Sequence, residues 1–346
     1  MSEELEDIPS ADTCQKLCEQ FAEITETDTI WAQIYLQERN WNLQSAISDY
    51  FEKNATGSQK NIKVFQLSDS GDSSKVCVFS AENNSHSSNN VKHTLKFITW
   101  NSDGLDEKNQ LLRIRRICKI IKCEDADIVF LQEVIPKTLD EIVKHLPEYK
   151  CIPGNNVEYF TVTLLKKNTV SYIDHDIHEY PNTRMGRNLL QVDVKIGKIP
   201  ITLFNTHLES TGEASQERMQ QLRTAFDKML EVSSEKAVIL AGDLNLRDKE
   251  MPPHSIPTAI EDMWVICGSR KECAYTWDMT RNDNLTFNSG SRYKPRFRFD
   301  RVYIRQSSPS TVEPEYFGLI GLERLLPHRC FPSDHWGILS KFQYQK

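Results

Sequence analysis

The sequence predicts an α+β fold of layered strands and helices that follows a small helical bundle, and three observations carry this prediction. Short apolar runs rich in strand-forming residues, such as 237–241, are too short for helices and end abruptly in polar residues. Amphipathic segments with helical spacing lie between these runs, without the strict alternation of strand and helix that a doubly wound parallel sheet requires. Residues 10–52, by contrast, show helical periodicity alone.

The composition fits one large and one small soluble domain. The chain has 346 residues, of which 39% are hydrophobic, so it is long enough to bury a sizeable core. Nine cysteines without a CxxC pair favour a reducing, intracellular compartment over a disulfide framework or a zinc site. The acidic amino terminus and the lack of a long apolar run argue against a signal peptide and against a membrane partner.

The amino-terminal segment, residues 1–53, is predicted to form a bundle of three short helices. Apolar residues recur at helical spacing in three groups: Cys14, Leu17, Cys18 and Phe21, then Trp31, Ile34, Tyr35 and Leu36, then 43–51. The run NWNLQSAISDYFE resembles ubiquitin-associated (UBA-like) domains, in which a last helix with an alanine and a terminal aromatic residue follows an Asn-Trp turn. That resemblance implies ubiquitin as a partner, whereas the alternative is a packing unit without a recognition role.

Residues 54–93 are predicted to be a disordered linker. Serine, aspartate and asparagine dominate this segment, and such a composition cannot bury enough apolar area to order itself. The second folded domain is therefore expected to span residues 94–346.

The first two strand-like runs of this second domain each deliver a polar residue at their end. The run TLKFITWN ends at Asn101. The helix that follows is predicted to have Asp106 as its N-cap and to turn Arg113 toward solvent. The next run, DIVFLQEV, ends at Glu133, and a carboxylate directly after a core strand needs a cation or a hydrogen-bond donor.

Later strand-like runs repeat this arrangement. The elements between them are predicted to be a helix at 137–146, alternating segments at 160–166 and 189–196, and an amphipathic helix at 215–232. The polar residues that these runs deliver are His207, Ser210, Asp243, Asn245, Asp300, Asp334 and His335.

The stretch AVILAGDLNLRD organises the remainder of the chain. Because side chains alternate across a strand, Asp243 and Asn245 are expected to project to one side, with Leu244 turned into the core between them. A carboxylate there can orient a water by accepting its proton, and an amide can donate to a phosphate oxygen or hold the same water. The alternative is a solvated turn in which both residues only favour the bend.

The coincidence of these strand ends predicts a metal-assisted phosphate site. Oxygen ligands without cysteine select a hard cation such as Mg²⁺, with Mn²⁺ as a substitute, and Glu133 is the predicted primary ligand. Asn101 and Asp334 would complete or orient the ligand shell. His207 and His335 suit the stabilisation of charge on a pentavalent phosphorus, and Asp300 is the predicted carboxylate partner of His335.

Five short motifs in this domain resemble the endonuclease/exonuclease/phosphatase superfamily. They are TWN at 99–101, LQE at 131–133, HLES at 207–210, GDLNLRD at 242–248 and SDHW at 333–336. The resemblance implies a two-layer β-sandwich flanked by helices. The longer runs TWNSDGLD, LQEV, GRNLL, NTHLEST, YTWD, RFDR and FPSDHWG are similar to the 5′-tyrosyl-DNA phosphodiesterases of that superfamily, which also carry a UBA-like domain and a linker.

This resemblance implies a DNA-repair hydrolase that cleaves the 5′-phosphotyrosyl bond between DNA and a trapped topoisomerase and leaves a 5′-phosphate. Asp243, helped by Asn245, would position and deprotonate the attacking water. His207, Ser210 and His335 would hold the developing charge on the phosphate. The resemblance further implies a monomer in the nucleus, with the cytoplasm as a second compartment.

With a net charge of -7, the chain needs a local basic surface to hold an acidic strand. The predicted DNA contacts are Arg187, Arg247, Trp277 and Arg298, and the run 292–301 interleaves cations with aromatic residues as single-strand binding requires. The alternative for that run is an ordinary strand whose aromatic residues are buried, with Arg298 on the solvent side. The segments 249–257 and 282–296 contain no motif that defines a DNA contact.

Two further classes of function compete with this prediction. One is another phosphodiesterase of the superfamily, such as an abasic-site endonuclease, a deadenylase or a lipid phosphatase. The other is a ubiquitin-binding adaptor with an inactive nuclease-like domain, which is disfavoured because every predicted catalytic position is present.

Overall fold

The computed structural model of the protein describes residues 11–54 except 26, 28, 38 and 40, and residues 92–345 except 252–254 and 286–293. The chain divides into two compact units, Met1–Asn84 and Ser85–Lys346. Of the predicted linker, the structure describes Asn54, which ends the third helix, and residues 92–93. The first strand begins at Lys92, two residues before the predicted boundary. The domain limits otherwise stay a prediction.

The first unit contains, within its described residues, a bundle of three helices: α1 (Ala11–Thr25), α2 (Thr29–Gln37) and α3 (Leu43–Asn54). Its small core buries Phe21 and Leu36 completely, together with Ala32 and Ala46. The ring of Phe21 stacks on Tyr35 at a centroid distance of 5.6 Å. The predicted helical bundle is therefore confirmed.

The second unit contains, in its described part, two six-stranded sheets. The first has the order β13-β14-β1-β2-β4-β3, with β1 (Lys92–Asn101), β2 (Ile128–Val134), β3 (Tyr149–Pro153), β4 (Phe160–Lys166), β13 (Val312–Ile320) and β14 (Gly337–Gln345). The second has the order β5-β6-β7-β8-β12-β9, with β5 (Ser171–Glu179), β6 (Asn188–Ile196), β7 (Ile199–His207), β8 (Ala237–Asp243), β9 (Glu261–Asp262) and β12 (Asp300–Arg305). A separate short pair joins β10 (Trp277–Asp278) to β11 (Arg296–Phe297).

Three helices of this unit cover the outer faces of the two sheets. They are α4 (Gln110–Glu124), α5 (Pro136–His145) and α6 (Ser215–Glu231), while a short α7 (Met263–Ile266) follows β9. The apolar residues of α4 and α5 join one buried cluster with the outer face of the first sheet, and those of α6 join another with the second sheet. A third cluster fills the space between the sheets, so the predicted two-layer sandwich flanked by helices is confirmed. No helix in the described part of the chain has the length and apolarity needed to cross a membrane.

Two predictions about α4 are wrong. The helix begins at Gln110 with Asn109 as its N-cap, while Asp106 accepts from the backbone N–H of Lys108 at 2.9 Å in the preceding turn. Arg113 is 2% exposed instead of solvated. Helical periodicity does not reveal this burial, because the residues that cover Arg113 come from loops outside the helix.

Strand pairing brings the polar strand ends together. In the parallel pair β7–β8, His207 lies opposite Asp243, and in the parallel pair β1–β2, Asn101 lies opposite Gln132. Because β12 is antiparallel to β8, its first residue, Asp300, also lies opposite Asp243. The ends of these strands therefore form one polar edge.

A glycine is required where β7 and β8 approach this edge. Gly242 has a φ of +148°, and a Cβ at this position would collide with the carbonyl oxygen of Thr206. Any other residue would push the two strands apart directly before Asp243.

Candidate active site

Asp243, the last residue of β8, lies at the centre of the polar edge and is 2% exposed. Its Oδ2 accepts from Asn101 Nδ2 at 2.9 Å and lies 3.2 Å from His207 Nε2, and its Oδ1 accepts from the backbone N–H of Asn245 at 3.0 Å. Burial alone would raise the pKa of Asp243, but His335 and His207 outweigh burial and hold that pKa well below its usual range. Asp243 is therefore an ionised carboxylate with a fixed orientation.

Asn245 is held beside Asp243 by its own side chain. Its Nδ2 donates to the carbonyl of Leu208 at 3.2 Å, and its backbone has a φ of 52°. Leu244 is fully buried between them, as predicted. Burial of a leucine side chain contributes about 1.5–3 kcal/mol, which anchors this turn to the core.

His207 is neutral, with its proton on Nε2. The guanidinium of Arg187 donates to His207 Nδ1 at 2.6 Å, so this nitrogen must be an acceptor. Burial, followed by the charge of Arg187, lowers the pKa of His207 to about 4. The Nε2–H therefore faces Asp243, at 3.2 Å, as a donor.

His335, unlike His207, is positively charged. Its Nδ1 bonds Asp300 Oδ2 at 2.8 Å, and its Nε2 lies 3.8 Å from Asp243 Oδ2. Burial would lower the pKa of His335, but Asp300, Asp334 and Asp243 raise it well above its usual value. The predicted partnership of Asp300 with His335 is therefore present, and His335 is an imidazolium.

Glu133 lies at an irregularity in the pairing of β2 with β4. The pairing of β2 with β4 shifts register between Leu131 and Val134, and Glu133 has a φ of 54°. The loop after β1 approaches this bulge so closely that a Cβ at Gly104 would collide with the carbonyl oxygen of Glu133. The side chain consequently points away from the ladder, with its Oε1 at 3.9 Å from His207 Nε2.

Glu133 interacts with two other carboxylates, Asp103 and Asp334, and this acidic group fits a divalent cation. Burial, and then the charge of Asp334, raises the pKa of Glu133 to about 7, and the same two causes raise the pKa of Asp103 to about 8. Carboxylates that repel one another in a buried site are stabilised by a cation, and oxygen donors without sulfur select a hard one.

Two observations concern the predicted ligand set. Asn101 directs its amide to Asp243 and accepts from the Asp103 N–H at 2.9 Å on its oxygen, so it orients the site. The three ligand-type residues gathered within 4.8 Å, among those described, are Asp243, Asp300 and His335. We assign Asp300 and His335 as a histidine–carboxylate pair beside Asp243, because Asp300 is hydrogen-bonded to the Nδ1 of His335.

Trp277, which was predicted to contact DNA, contacts a predicted metal ligand. It is 9% exposed, and its Nε1 donates to Asp334 Oδ2 at 2.9 Å. Its ring stacks on Phe297 at 6.1 Å and contacts Phe299 at 5.6 Å. The indole therefore fixes the orientation of Asp334.

Arg298 is buried, contrary to the prediction that it lies on the solvent side. It is 8% exposed, its Nη1 donates to Asp262 Oδ2 at 2.7 Å, and its guanidinium lies 4.4 Å from the centroid of the Trp264 ring. An arginine whose donors and ring face are satisfied inside the fold is a structural residue.

Arg247, a predicted DNA contact, lies at the rim of the site. It is partly buried, donates to the carbonyl of Asn245 at 3.0 Å, and lies 5.6 Å from the centroid of the Phe299 ring. Its loop is anchored by Arg218, which is fully buried and forms two bonds with Glu250, at 2.5 and 3.2 Å. Arg218 lies within a predicted amphipathic helix, and nothing in the helical pattern marks it.

Arg187 faces a half-buried tyrosine that sequence reasoning missed. Its guanidinium lies 4.9 Å from the centroid of the Tyr159 ring, and both residues line a small pocket next to His207. Glu209 fixes the loop before Arg187 by accepting from Thr183 Oγ1 at 2.7 Å and from a backbone N–H of the loop. Tyr159 directly precedes a strand, and this position carries no signal of its own.

Ser210 lies on the same side of the site as this loop. Its Oγ donates to the sulfur of Met185 at 3.2 Å and it is partly exposed. The structure thus gathers the predicted catalytic and metal residues around one edge. Of the four predicted DNA contacts, Arg298 is the one that contacts Asp262 and Trp264 and no predicted site residue named above.

Comparison with known proteins agrees with this architecture. The Endonuclease/Exonuclease/phosphatase family matches residues 98–335, and the UBA-like domain family matches residues 13–57. Tyrosyl-DNA phosphodiesterase 2 of Xenopus laevis is 39% identical, over 94% of this chain and 93% of its own length. The human protein of the same name is 35% identical, over 97% of this chain and 94% of its own length.

Solved structures give the same result. A crystal structure of D. rerio TDP2 complexed with a single-strand DNA product is 38% identical, with a TM-score of 0.69, and covers 72% of this chain and 98% of that one. TDP2 from C. elegans is 30% identical, with a TM-score of 0.66, and covers 99% of this chain and 97% of that one. The chain therefore belongs to the tyrosyl-DNA phosphodiesterase 2 family, within the endonuclease/exonuclease/phosphatase family.

Proposed function

We propose that the protein is a DNA-repair phosphodiesterase that hydrolyses 5′-phosphotyrosyl bonds, removes trapped topoisomerase adducts from DNA 5′ ends and leaves a 5′-phosphate. The observation that carries this proposal is the position of Asp243, an ionised carboxylate between a neutral His207 and a protonated His335. The names of the relatives supply the substrate class.

Asp243 and Asn245 would position the attacking water. A carboxylate of low pKa orients a water by accepting a hydrogen bond, and it accepts the proton once attack on phosphorus makes the water acidic. Because Asn245 is fixed by bonds to Asp243 and to Leu208, the pair is preorganised for this role.

The two imidazoles would stabilise negative charge on the phosphate oxygens. His335 offers a full positive charge, held in place by Asp300, and His207 offers a neutral N–H backed by Arg187. The leaving group is a phenolate, whose conjugate acid has a pKa of about 10, so it needs less proton donation than a sugar alkoxide. The pair formed by Tyr159 and Arg187 lies beside His207, where its cation can stabilise such a phenolate.

We propose Mg²⁺ as the cation, with Mn²⁺ as a substitute, held by Glu133 and Asp334 and oriented through Asn101. Such an ion neutralises developing charge on the phosphate. Trp277 serves this group by holding Asp334, and Arg113 serves it by pairing with Asp103 at 3.0 Å.

A substrate panel tests the proposed reaction. The full-length protein should release tyrosine from 5′-phosphotyrosyl DNA with a divalent cation, and should cleave abasic DNA, poly(A) and phosphoinositides far more slowly. Faster turnover of any of the three competitors would replace the proposal with another activity of the superfamily. Absence of turnover on all four, with ubiquitin captured by residues 1–53, would favour the adaptor.

We propose ubiquitin as the partner of the UBA-like bundle and the nucleus, with a cytoplasmic pool, as the location. The family match at residues 13–57 supports the first of these proposals. Ubiquitin pull-down with the isolated bundle tests it, and fractionation of cells followed by immunoblotting tests the location. Sedimentation of the pure protein tests the predicted monomer.

Deletion of residues 1–90 should leave cleavage of a short phosphotyrosyl oligonucleotide nearly unchanged. The described catalytic unit begins at Lys92 and contains the complete site and its own core. Steady-state kinetics on the purified fragment check this expectation. A fragment that unfolds, or whose activity on the short substrate disappears, would require a different domain boundary.

Arg247→Ala and Trp277→Phe should have different effects on substrates with and without DNA. Arg247→Ala removes a rim cation, so KM for a 5′-tailed oligonucleotide should rise while cleavage of a small nitrophenyl phosphodiester stays nearly unchanged. Trp277→Phe keeps the ring but removes a hydrogen bond to a carboxylate, worth about 1.5–3 kcal/mol, so both substrates should be cleaved more slowly. Parallel kinetics on the two substrates measure this difference, and equal losses for Arg247→Ala would exclude a DNA contact.

A further inference from the structure

A cleft of about 420 Å³ lies beside the active-site loops, and the reaction proposed above uses only Arg113 of its lining, through the pair with Asp103. Its lining, which we call the basic cleft, includes four cations and two carboxylates: Lys108, Arg113, Arg324, Arg329, Asp106 and Asp283. These six residues give the basic cleft a net charge of +2, on a chain whose net charge is -7. The lining also includes His328. A locally positive cleft on an acidic chain attracts an anionic ligand.

Two of the four cations are fixed by bonds within the protein. Arg113 is 2% exposed and pairs with Asp103 at 3.0 Å. Arg324 forms two bonds with Asp283, at 2.8 and 3.0 Å, and its guanidinium lies 4.3 Å from the centroid of the Phe331 ring. These interactions make the floor and one wall of the basic cleft rigid.

The other two cations have no such partners. Lys108 and Arg329 are exposed, and neither side chain forms a hydrogen bond or an ion pair with any residue that the structure describes. His328, also exposed, lies beside them in the same lining. Their donors can therefore bind a ligand without breaking an interaction with the described part of the chain.

The basic cleft shares its walls with the loops of the active site. Arg113 Nη1 donates to the carbonyl of Pro332 at 3.4 Å, two residues before Asp334. Asn284, also in the lining, accepts from the N–H of Phe331 at 2.8 Å and donates to its carbonyl at 3.0 Å. The basic cleft is therefore bounded by the loop that carries Asp334.

We propose that the basic cleft binds the phosphate backbone of the DNA substrate at a position away from the phosphate that is cleaved. The proposal rests on the proposed function, because that reaction places a DNA end at Asp243. The exposed arginine and lysine donors beside this rigid wall suit phosphodiester oxygens. Six of the residues in this lining carry a charge, and contacts from charged side chains to phosphates position a strand without reading its sequence.

The double variant K108Q/R329Q tests the proposal in the full-length chain. Binding of a 5′-tailed duplex with a plain 5′-phosphate should weaken about tenfold at low salt. The slope of log K against log[salt] should become shallower by about 0.7–0.9 for each phosphate that the variant fails to neutralise. On the matching phosphotyrosyl substrate, KM should rise while kcat and the cleavage of a nitrophenyl phosphodiester stay unchanged.

The matched control is K195Q/K198Q. Lys195 and Lys198 are exposed, carry the same two charges, and lie at the hairpin between β6 and β7, at the opposite end of β7 from His207. This control should bind the duplex like the parent protein. An equal decrease in both variants would mean that the overall charge acts at a distance, which overturns the proposal.

Two further results would also overturn it. One is unchanged duplex binding and salt slope in K108Q/R329Q. The other is loss of tripolyphosphate binding with duplex binding intact, which would make the basic cleft a site for a small polyanion. The duplex carries no tyrosine, so its binding is independent of the reaction: weakened binding in the variant supports the basic cleft even if the parent protein cleaves no phosphotyrosyl bond.

Discussion

Asp243→Asn is expected to lower kcat on phosphotyrosyl DNA by about 10²–10⁴, the usual contribution of a general base. Asparagine keeps the shape of the side chain but removes the charge that lies 3.2 Å from His207 Nε2 and 3.8 Å from His335 Nε2. Because Asp243 helps to raise the pKa of His335, the substitution also lowers that pKa and weakens the imidazolium. Steady-state kinetics should show the decrease in kcat, with KM little changed.

The matched control for this prediction is Asp227→Asn, the same substitution on an exposed position of α6. It should leave both kinetic constants unchanged. Thermal unfolding of the two variants separates a chemical defect from a folding defect. Near-native kcat in Asp243→Asn would remove Asp243 from its role as the base.

Glu133→Gln is expected to abolish turnover supported by a divalent cation. An amide is a neutral and weaker ligand for a hard cation than a carboxylate. Burial and the charge of Asp334 raise the pKa of Glu133, so the unliganded protein does not need this charge and should remain folded in the variant. Activity should therefore fall without a fall in thermal stability.

Cation binding gives this prediction a readout besides activity. A ligand that binds only the folded state raises Tm, so MgCl₂ should raise the Tm of the parent protein and of the exposed control Glu235→Gln. The Tm of Glu133→Gln should not respond to MgCl₂. A normal Tm increase together with normal turnover in Glu133→Gln would exclude Glu133 as a ligand.

The strand ends of the second domain could be predicted because local patterns record them. An apolar run followed at once by Asp243, His207 or Glu133 indicates where a buried strand stops, whatever its neighbours are. The partnership of Asp300 with His335 was predicted as well, since a histidine among strand-end carboxylates pairs with one of them. The roles of these residues in the reaction stay predictions.

The two-domain organisation, the layered α+β fold and the strand ends that build the site could all be derived from the amino-acid order, because periodicity and strand-ending residues act over a few neighbouring positions. What each cation and ring contacts emerged only from the folded chain. Arg298 pairs with Asp262, Trp277 holds Asp334, and Arg113, Arg218 and Tyr159 support the site. The physical reason is that burial of a charge depends on partners that folding brings from distant segments, and no local pattern encodes those partners.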